Sequence, residues 1–435
     1  MISLLRNFLS EDHFLRRWYS AGHGILATFF FGFPASSLHI IGVTGTDGKT
    51  TTVEMIAHIL RHSGEKVLSL STAQVVLGET KMKSTKRTTP SPWYLQKIFR
   101  RAKREGVTHV VLEVSSHALS QRRVFAIPLD VAVLTNITPE HLDYHRTLEN
   151  YADAKRLLFF RHLRKTGTAV LNFDDPIGRK WASEFSQRHS VLTFSEQGDP
   201  HANFYAESFT ETEKGISFTT VCSTKHFPTM LPVFGRFNVS NALSALCSTR
   251  AVGVSEKMGR DALSSFLTVP GRMQKISSNA DFSVFIDFAL TPGSLEKMLL
   301  SARNMVKDDG SLTLVFGLCG SHKDIQKRRL LGKTAAQYAD TIIVTDDEPY
   351  YEKPEVIRQH ILKGAQEEDP DALSSGKVQE IPDREKAIFE AIAHAKTGDV
   401  LVVAGMGHLT TRNVSGEEIP WSDTEVIQKA LLART

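Results

Sequence analysis

From His39 onward, short apolar runs alternate with stretches whose apolar residues recur every three or four positions. HIIGVT (39–44) predicts a buried strand. A glycine-rich turn follows, then a helical period from Thr50 to His62. KVLSLST (66–72), THVVLEV (108–114) and LDVAVLTN (129–136) predict further strands, with helices over PWYLQKIFRRAKREG after Pro90 and from Leu148 to Leu163. Strands and helices of these lengths in alternation predict a mostly parallel sheet covered on both faces. Residues 172–230 are more polar, with short runs such as ISFTTV, and predict antiparallel strands. FNVSNALSALCSTRAVG (237–253) reads as a helix with small residues on one side.

After Pro270-Gly271 the alternation restarts. SVFIDF, LTLVFG, DTIIVTD and DVLVVAG predict strands, and Arg329–Tyr338, Pro354–Gly364 and Arg384–Lys396 predict helices. The chain therefore divides into a segment over 1–37, an α/β domain over 38–270 and a second, Rossmann-like α/β domain over 271–435. Residues 1–37 predict one or two amphipathic helices. Phe29, Phe30, Phe31 and Phe33 either pack on the body of the protein or form a docking surface for a protein or a membrane.

The turn after the first predicted strand carries the clearest chemistry. Gly45-Thr46-Asp47-Gly48-Lys49-Thr50-Thr51 sits between a strand and a helix. Backbone N–H groups at a helix start bind phosphate oxygens, a lysine adds a point charge on the β/γ phosphates, and a threonine hydroxyl reaches Mg²⁺. The strict GxxxxGK[ST] spacing fails, since Val43 stands where its first glycine belongs; the shorter GTxGKT[ST] form is met. This makes the domain over 38–270 a P-loop ATPase domain that takes ATP or GTP. Glu113 ends a predicted strand, so it faces the phosphates directly or through Mg²⁺. Glu140, His141 and Tyr144 follow the next strand.

Composition bounds the alternatives. Of 435 residues 41% are hydrophobic and 23% charged, so a packed core is available. A net charge of +4 is too small on this chain to argue for nucleic acid. Three scattered cysteines, Cys222, Cys247 and Cys319, point to a reducing, cytoplasmic setting rather than a disulfide framework. The longest apolar stretch, GILATFFFGF (24–33), is half of what a membrane span needs.

Several segments together resemble the Mur ligase family. They are GVTGTDGKTTT, Thr88-Thr89-Pro90, LEVSSHALSQRRV, TNITPEHLDYHRTLENYADAKRLLF, GRFNVSNALSA and VPGR. Their order is most similar to the branch that adds the third stem-peptide residue, the UDP-N-acetylmuramoyl-tripeptide synthetases. The resemblance implies an ATP-dependent amide ligase of cell-wall synthesis that forms an acyl phosphate and needs two Mg²⁺. It places Gly45, Thr46, Asp47, Gly48, Lys49, Thr50 and Thr51 on ATP, with Asn238 at the adenine and Arg272 and Asp287 on the nucleotide from the C-terminal domain. It implies metal ligation by Thr50, Glu113, His141 and Lys155, the last as a carbamate, and a catalytic set of Lys49, Glu113, His141 and Lys155. Thr88, Thr89, Ser115, Ser116, Gln121 and Arg123 would line a muramyl-peptide site.

The family's ~100-residue UDP-binding domain has no counterpart in residues 1–37. The C-terminal motifs depart as well. Leu290 replaces a histidine; Asp347-Glu348-Pro349-Tyr350 replaces Asp-Asn-Pro-Arg; Gly405-Met406-Gly407-His408-Leu409 replaces Gly-Lys-Gly-His-Glu. Asp347, Glu348, Tyr350, Gly405 and His408 thus mark an altered amino-acid site, with Glu348 or Glu352 open to a distal ammonium. The expected substrates are a muramyl peptide, free or nucleotide-linked, and an amino acid. A ligase for another acid, polyglutamate-like, and a non-ligating nucleotide-binding partner of a cell-wall enzyme remain alternatives.

Overall fold

A computed structural model describes residues 14–82, 87–212, 214–307, 309–320 and 325–434, with side chains from Ala21 onward. Residues 1–13, part of the predicted N-terminal segment, lie outside the described residues. The chain forms two compact units: Met1–Pro232 with Arg236–Leu267, and Val233–Gly235 with Thr268–Thr435.

The first unit opens with helix α1 (Phe14–Phe31) and a short turn over Pro34–Ser37. Strand β1 (His39–Thr44) runs into helix α2 (Lys49–His62). Next come β2 (Val67–Leu70), β3 (Val75–Leu77) and β4 (Thr80–Met82). Helix α3 (Pro92–Arg104) starts where its sequence says it should: Ser91 accepts a bond from the Tyr94 N–H, and a proline occupies the first turn. Strand β5 (His109–Glu113), helix α4 (Ser116–Ser120), strand β6 (Leu129–Leu134) and helices α5 (Leu142–His145) and α6 (Leu148–Leu157) follow. The helix expected through Leu163 runs as α-helix to Leu157 and continues as a π-helical turn over Leu158–His162, which leads straight into β7 (Leu163–Asn172).

The polar stretch expected to be antiparallel begins differently. Helix Pro176–Phe185, capped by Asp175 onto the Ile177 and Gly178 N–H groups, joins β7 to the parallel strand β8 (Ser190–Ser195). Only β9 (Phe204–Thr212), β10 (Gly215–Cys222) and β11 (Lys225–Leu231) form an antiparallel meander. All eleven strands make one sheet, ordered β11-β10-β9-β8-β7-β6-β1-β5-β2-β3-β4. Its parallel centre is buried on both faces, which explains why Ile40, Ile41, Val110, Val111 and Val133 form runs without polar alternation. Burying each such side chain contributes roughly 1.5–3 kcal/mol. The chain crosses past β1 between β5 and β6, so the carboxyl ends of these three strands form the crevice at a topological switch point.

The second unit carries a six-stranded sheet ordered β12 (Gln274–Ile276), β13 (Ser283–Asp287), β17 (Val400–Ala404), β14 (Leu312–Phe316), β15 (Thr341–Val344) and β16 (Val378–Glu380). It is parallel except for β12. A hairpin of β18 (Thr411–Val414) and β19 (Glu417–Pro420) stands apart, and helices Pro292–Arg303 and Asp423–Arg434 add to those expected. Arg384 is fully buried and makes a two-pronged ion pair with Asp423 at 2.8 Å on each arm. Breaking one partner of such a pair strands a charge, so it fixes the end of β17 through the Arg384 bond to Ala404 O.

Candidate active site

The loop between β1 and α2 turns on two glycines. Gly45 has φ +149°, and a Cβ there would lie 1.8 Å from Thr135 Oγ1. Gly48 has φ +79°, and its Cβ would lie 2.3 Å from Asn241 Oδ1. Side chains would therefore both strain the backbone and collide. The segment after β6 clamps the loop from outside. Asn136 accepts from the Thr46 and Asp47 N–H groups, Thr135 Oγ1 donates to Asp47 O at 2.6 Å, and Thr138 N–H donates to Thr46 Oγ1. Lys49 Nζ donates to Thr46 O at 2.6 Å. Asn238 is buried beside this loop through Asn241, which donates to Asn238 Oδ1 and accepts from Thr52.

Glu113 ends β5 and is buried. Its Oε2 accepts from Thr50 Oγ1 at 3.0 Å and from Thr72 N–H at 2.7 Å, with Thr72 Oγ1 at 3.0 Å. Thr72 Oγ1 is also 3.0 Å from Thr88 Oγ1. Thr89 Oγ1 donates to Glu113 O and accepts from Ser115 N–H. Ser115 caps α4 by accepting from Ala118 N–H, and Ser116 Oγ lies 3.0 Å from His145 Nε2. Arg123 bonds to Gln121 Oε1 and to Thr89 O. One crevice wall thus gathers Thr88, Thr89, Ser115, Ser116, Gln121 and Arg123 around the end of β5.

Lys155 reaches the loop from α6. It is 1% exposed, its Nζ donates to Gly45 O at 2.6 Å, and it lies 4.3 Å over the Tyr151 ring. Burial, with the Lys49 charge next in size, holds its amine well below the ordinary lysine range. His141 stands at φ +54°, 3.7 Å from Glu140, its ring edge-on to His117. Among the described residues no three His, Cys, Asp or Glu side chains cluster closely enough to hold a metal by themselves. The hydroxyl of Thr50 and the carboxylate of Glu113, 3.0 Å apart, are the hard oxygen donors Mg²⁺ prefers alongside phosphate, and they fit it.

His145, buried among His117, His141 and Lys155, is pushed down to about 4, chiefly by desolvation. The unfolded chain takes up this proton near 6.5 and the folded chain does not. Stability from this site is therefore complete above about 6.5 and is lost as pH falls toward about 4. Thermal melting across that window should show an acid limb, and His145→Gln should flatten it; an unchanged limb would contradict the assignment.

In the second unit, Arg272 lies 4.9 Å over the Phe288 ring and bonds to Phe288 O. Asp287 Oδ2 accepts from Met273 N–H at 2.7 Å. His408 packs against Phe288, and a Cβ on Gly405 would lie 2.5 Å from Asp347 Oδ2. Asp347 is buried and pushed up to about 7 by desolvation, with Asp423 and Glu348 acting in the same direction against Arg384 and Arg412. Glu348 accepts from Asn413 N–H, and Tyr350, at φ +53°, bonds by its backbone to Asn413 and Ser415. Glu352 does not stand open as expected from sequence: both its oxygens pair with Arg328, at 2.6 and 2.7 Å.

Sequence alone does not assign these roles to Thr72, Thr135 and Asn136. The signal was present in their place just beyond strand ends, but which strand end faces the loop depends on sheet order.

Residues 43–249 match the Mur ligase middle domain, and residues 271–407 match the Mur ligase glutamate ligase domain. The chain belongs to the Mur ligase family. Its relatives include the UDP-N-acetylmuramoyl-L-alanyl-D-glutamate–2,6-diaminopimelate ligase of Geobacillus kaustophilus, 37% identical over 94% of this chain and 82% of the relative. The ligase of the same name from Gloeobacter violaceus is 38% identical over 94% and 80%. A solved structure of a ligase of that name superposes with TM-score 0.64 at 31% identity, covering 91% of this chain and 79% of the other. The Mycobacterium tuberculosis folylpolyglutamate synthase, solved with ADP and AMPPCP, shares the fold at TM-score 0.69 and 17% identity, covering 88% and 92%. This Mur ligase is an ATP-dependent amide-bond ligase of peptidoglycan precursor synthesis.

Proposed function

We propose that this Mur ligase joins the amine of an amino acid to the free carboxylate of a nucleotide-linked muramyl peptide. A carboxylate oxygen attacks the γ-phosphorus of ATP, and ADP leaves. The amine then attacks the acyl carbon, loses a proton, and the C–O bond to phosphate breaks. Neither step needs a protein nucleophile, so the residues position groups and neutralise charge. The loop amides and Lys49 take the phosphates. Thr50 and Glu113 would hold Mg²⁺, with His141 and a carbamate on Lys155 for a second ion; bound there, it neutralises phosphate charge. Asn238 is the adenine contact. Thr88, Thr89, Ser115, Ser116, Gln121 and Arg123 take the muramyl peptide. In domain terms, residues 38–270 form the nucleotide half and 271–435 the amine half.

The observation that carries this reading is the assembly at one switch point of the phosphate loop, the Thr50–Glu113 oxygen pair and the buried Lys155 amine on Gly45 O. The test is phosphate release from ATP in the presence of UDP-muramoyl dipeptide and single amino acids. Release that requires both co-substrates supports the reading; release with neither, or none with any pair, overturns it.

The choice of amino acid rests on Asp347, Glu348, Tyr350, Gly405 and His408. A diaminopimelate-binding arginine in the family motif offers a carboxylate two parallel charge-assisted bonds, which the Tyr350 phenol cannot reproduce. Arg412 is committed to Asp347 O and to the Trp421 ring. Diaminopimelate should therefore be used about tenfold or more less efficiently than lysine, ornithine or a small amino acid, the scale of one lost charged hydrogen bond. Competition among these amino acids in one ligation assay checks it. A clear preference for diaminopimelate refutes it, and Tyr350→Arg should raise its use.

A further inference from the structure

The ligase chemistry leaves the outer face of α1 without a role. Ala21, Gly24, Ala27 and Thr28 form its buried side, with Gly24 closing against Phe125. Ile25, Leu26, Phe29 and Phe30 form the opposite side, at helical spacing, and Phe33 follows just past the helix end with its ring 4.9 Å from that of Phe29. All five are exposed, Leu26 by 61%, Phe29 by 66% and Phe30 by 68%. Five large apolar side chains in one stripe are far more than scattered surface hydrophobes.

The stripe is continuous with a cationic one. Phe30 and Phe31 contact the Trp93 ring at 5.6 and 5.9 Å, and Trp93 Nε1 donates to His23 Nδ1 at 2.9 Å. From Trp93 the same face of α3 continues through Lys97, Arg100 and Arg104, at helical spacings of four, three and four. Arg101 and Lys103 flank this row and are exposed. Together α1 and α3 contain seven Lys and Arg and no acid, against a net +4 for the whole chain, so the remainder is net acidic and the positive charge is local. Among the described residues no helix is long and apolar enough to cross a membrane.

We propose that α1 and α3 form a docking face for an anionic phospholipid surface, on which α1 lies in the plane with its phenylalanines among the acyl chains and the α3 cations at the headgroups. An aromatic, apolar face bordered by a row of cations, with Arg101 paired to Glu105 at the end of α3, is the chemistry of an interfacial helix. A protein groove would satisfy the phenylalanines but gives no reason for the adjoining cationic row.

The test is flotation of the full chain with vesicles of equal parts phosphatidylcholine and phosphatidylglycerol, against phosphatidylcholine alone, with sedimentation velocity in parallel. The chain should float with the anionic vesicles only, and salt should weaken this. Phe29→Ser with Phe30→Ser should reduce partitioning by about tenfold or more for each side chain removed from the acyl layer. Lys97→Ala and Arg104→Ala should each reduce it about fivefold, the scale of one cation near an anionic surface. All of these positions are solvent-facing, so melting temperature and ligase rate on soluble substrates should hold. No flotation, or equal flotation with phosphatidylcholine alone, overturns the proposal. So does a concentration-dependent dimer that the phenylalanine changes abolish, which would assign the face to a second copy.

Discussion

Lys49→Ala should lower nucleotide-dependent ligation by about a thousandfold or more while the fold survives. Lys49 is the first residue of α2, and its Nζ donates to Thr46 O within the phosphate loop. Its ammonium is therefore held beside the amides that would receive the β- and γ-phosphates. As the γ-phosphoryl group transfers, negative charge shifts among the oxygens this cation faces. A preformed donor there needs no reorganisation, and losing it removes stabilisation specific to the transition state. Alanine is a good helix former at that position, and the loop's shape depends on Gly45, Gly48 and the Thr135–Thr138 clamp rather than on Lys49. The measurements are the ligation rate and the melting temperature of the purified variant. A near-normal rate would refute the role of Lys49, and a collapsed melting temperature would show that its bond to Thr46 is structural.

Much of this site was legible because its parts are local in sequence. A strand, two glycines, a lysine and a threonine before a helix define the loop within about ten residues, and backbone geometry follows from them. Glu113 was legible from its place at a strand end, since parallel sheets expose their ligands there. The clamp by Thr135 and Asn136 was not, although those residues lie just past β6. It exists because β6 pairs with β1, and that adjacency comes from the crossing of the chain between β5 and β6.

The misread stretch after Asn172 has a similar cause. Asp175-Pro176 is a helix-start signal, but the helix is short and leads to a strand that is exposed only at its first residue, Ser190. Polar composition suggested a meander there, and tertiary pairing of β8 to β7 overrode it. Glu352 shows the converse error. Sequence leaves a glutamate near an altered motif available to a ligand, whereas Arg328, brought close only by folding, takes both its oxygens.

Lys155 is the residue for which the fold changes the expectation most, and Lys155→Ala should be inactive, by about a hundredfold or more, yet partly restored by small carboxylates. On a solvated helix this lysine would be an ordinary ammonium. Here it is buried against the Tyr151 ring and Gly45 O, and burial together with the Lys49 charge disfavours its cationic form. A neutral amine has the lone pair that attacks CO₂. In the proposed carbamate an N–C bond joins the amine to CO₂, a proton leaves to solvent, and the group carries an anionic pair of oxygens. Lys49, which disfavours the ammonium, favours that anion. Alanine leaves a space at the tip of the side chain that formate or acetate can enter, supplying the same two oxygens. The check is ligation by Lys155→Ala across a carboxylate titration, beside the unaltered enzyme in buffer stripped of CO₂ and then resupplied with bicarbonate. Loss on stripping, recovery on resupply and carboxylate rescue are expected. Full activity without CO₂ would show that Lys155 acts as a bare amine that only braces the loop at Gly45, and a variant as active as the parent would show that the reaction does not need Lys155.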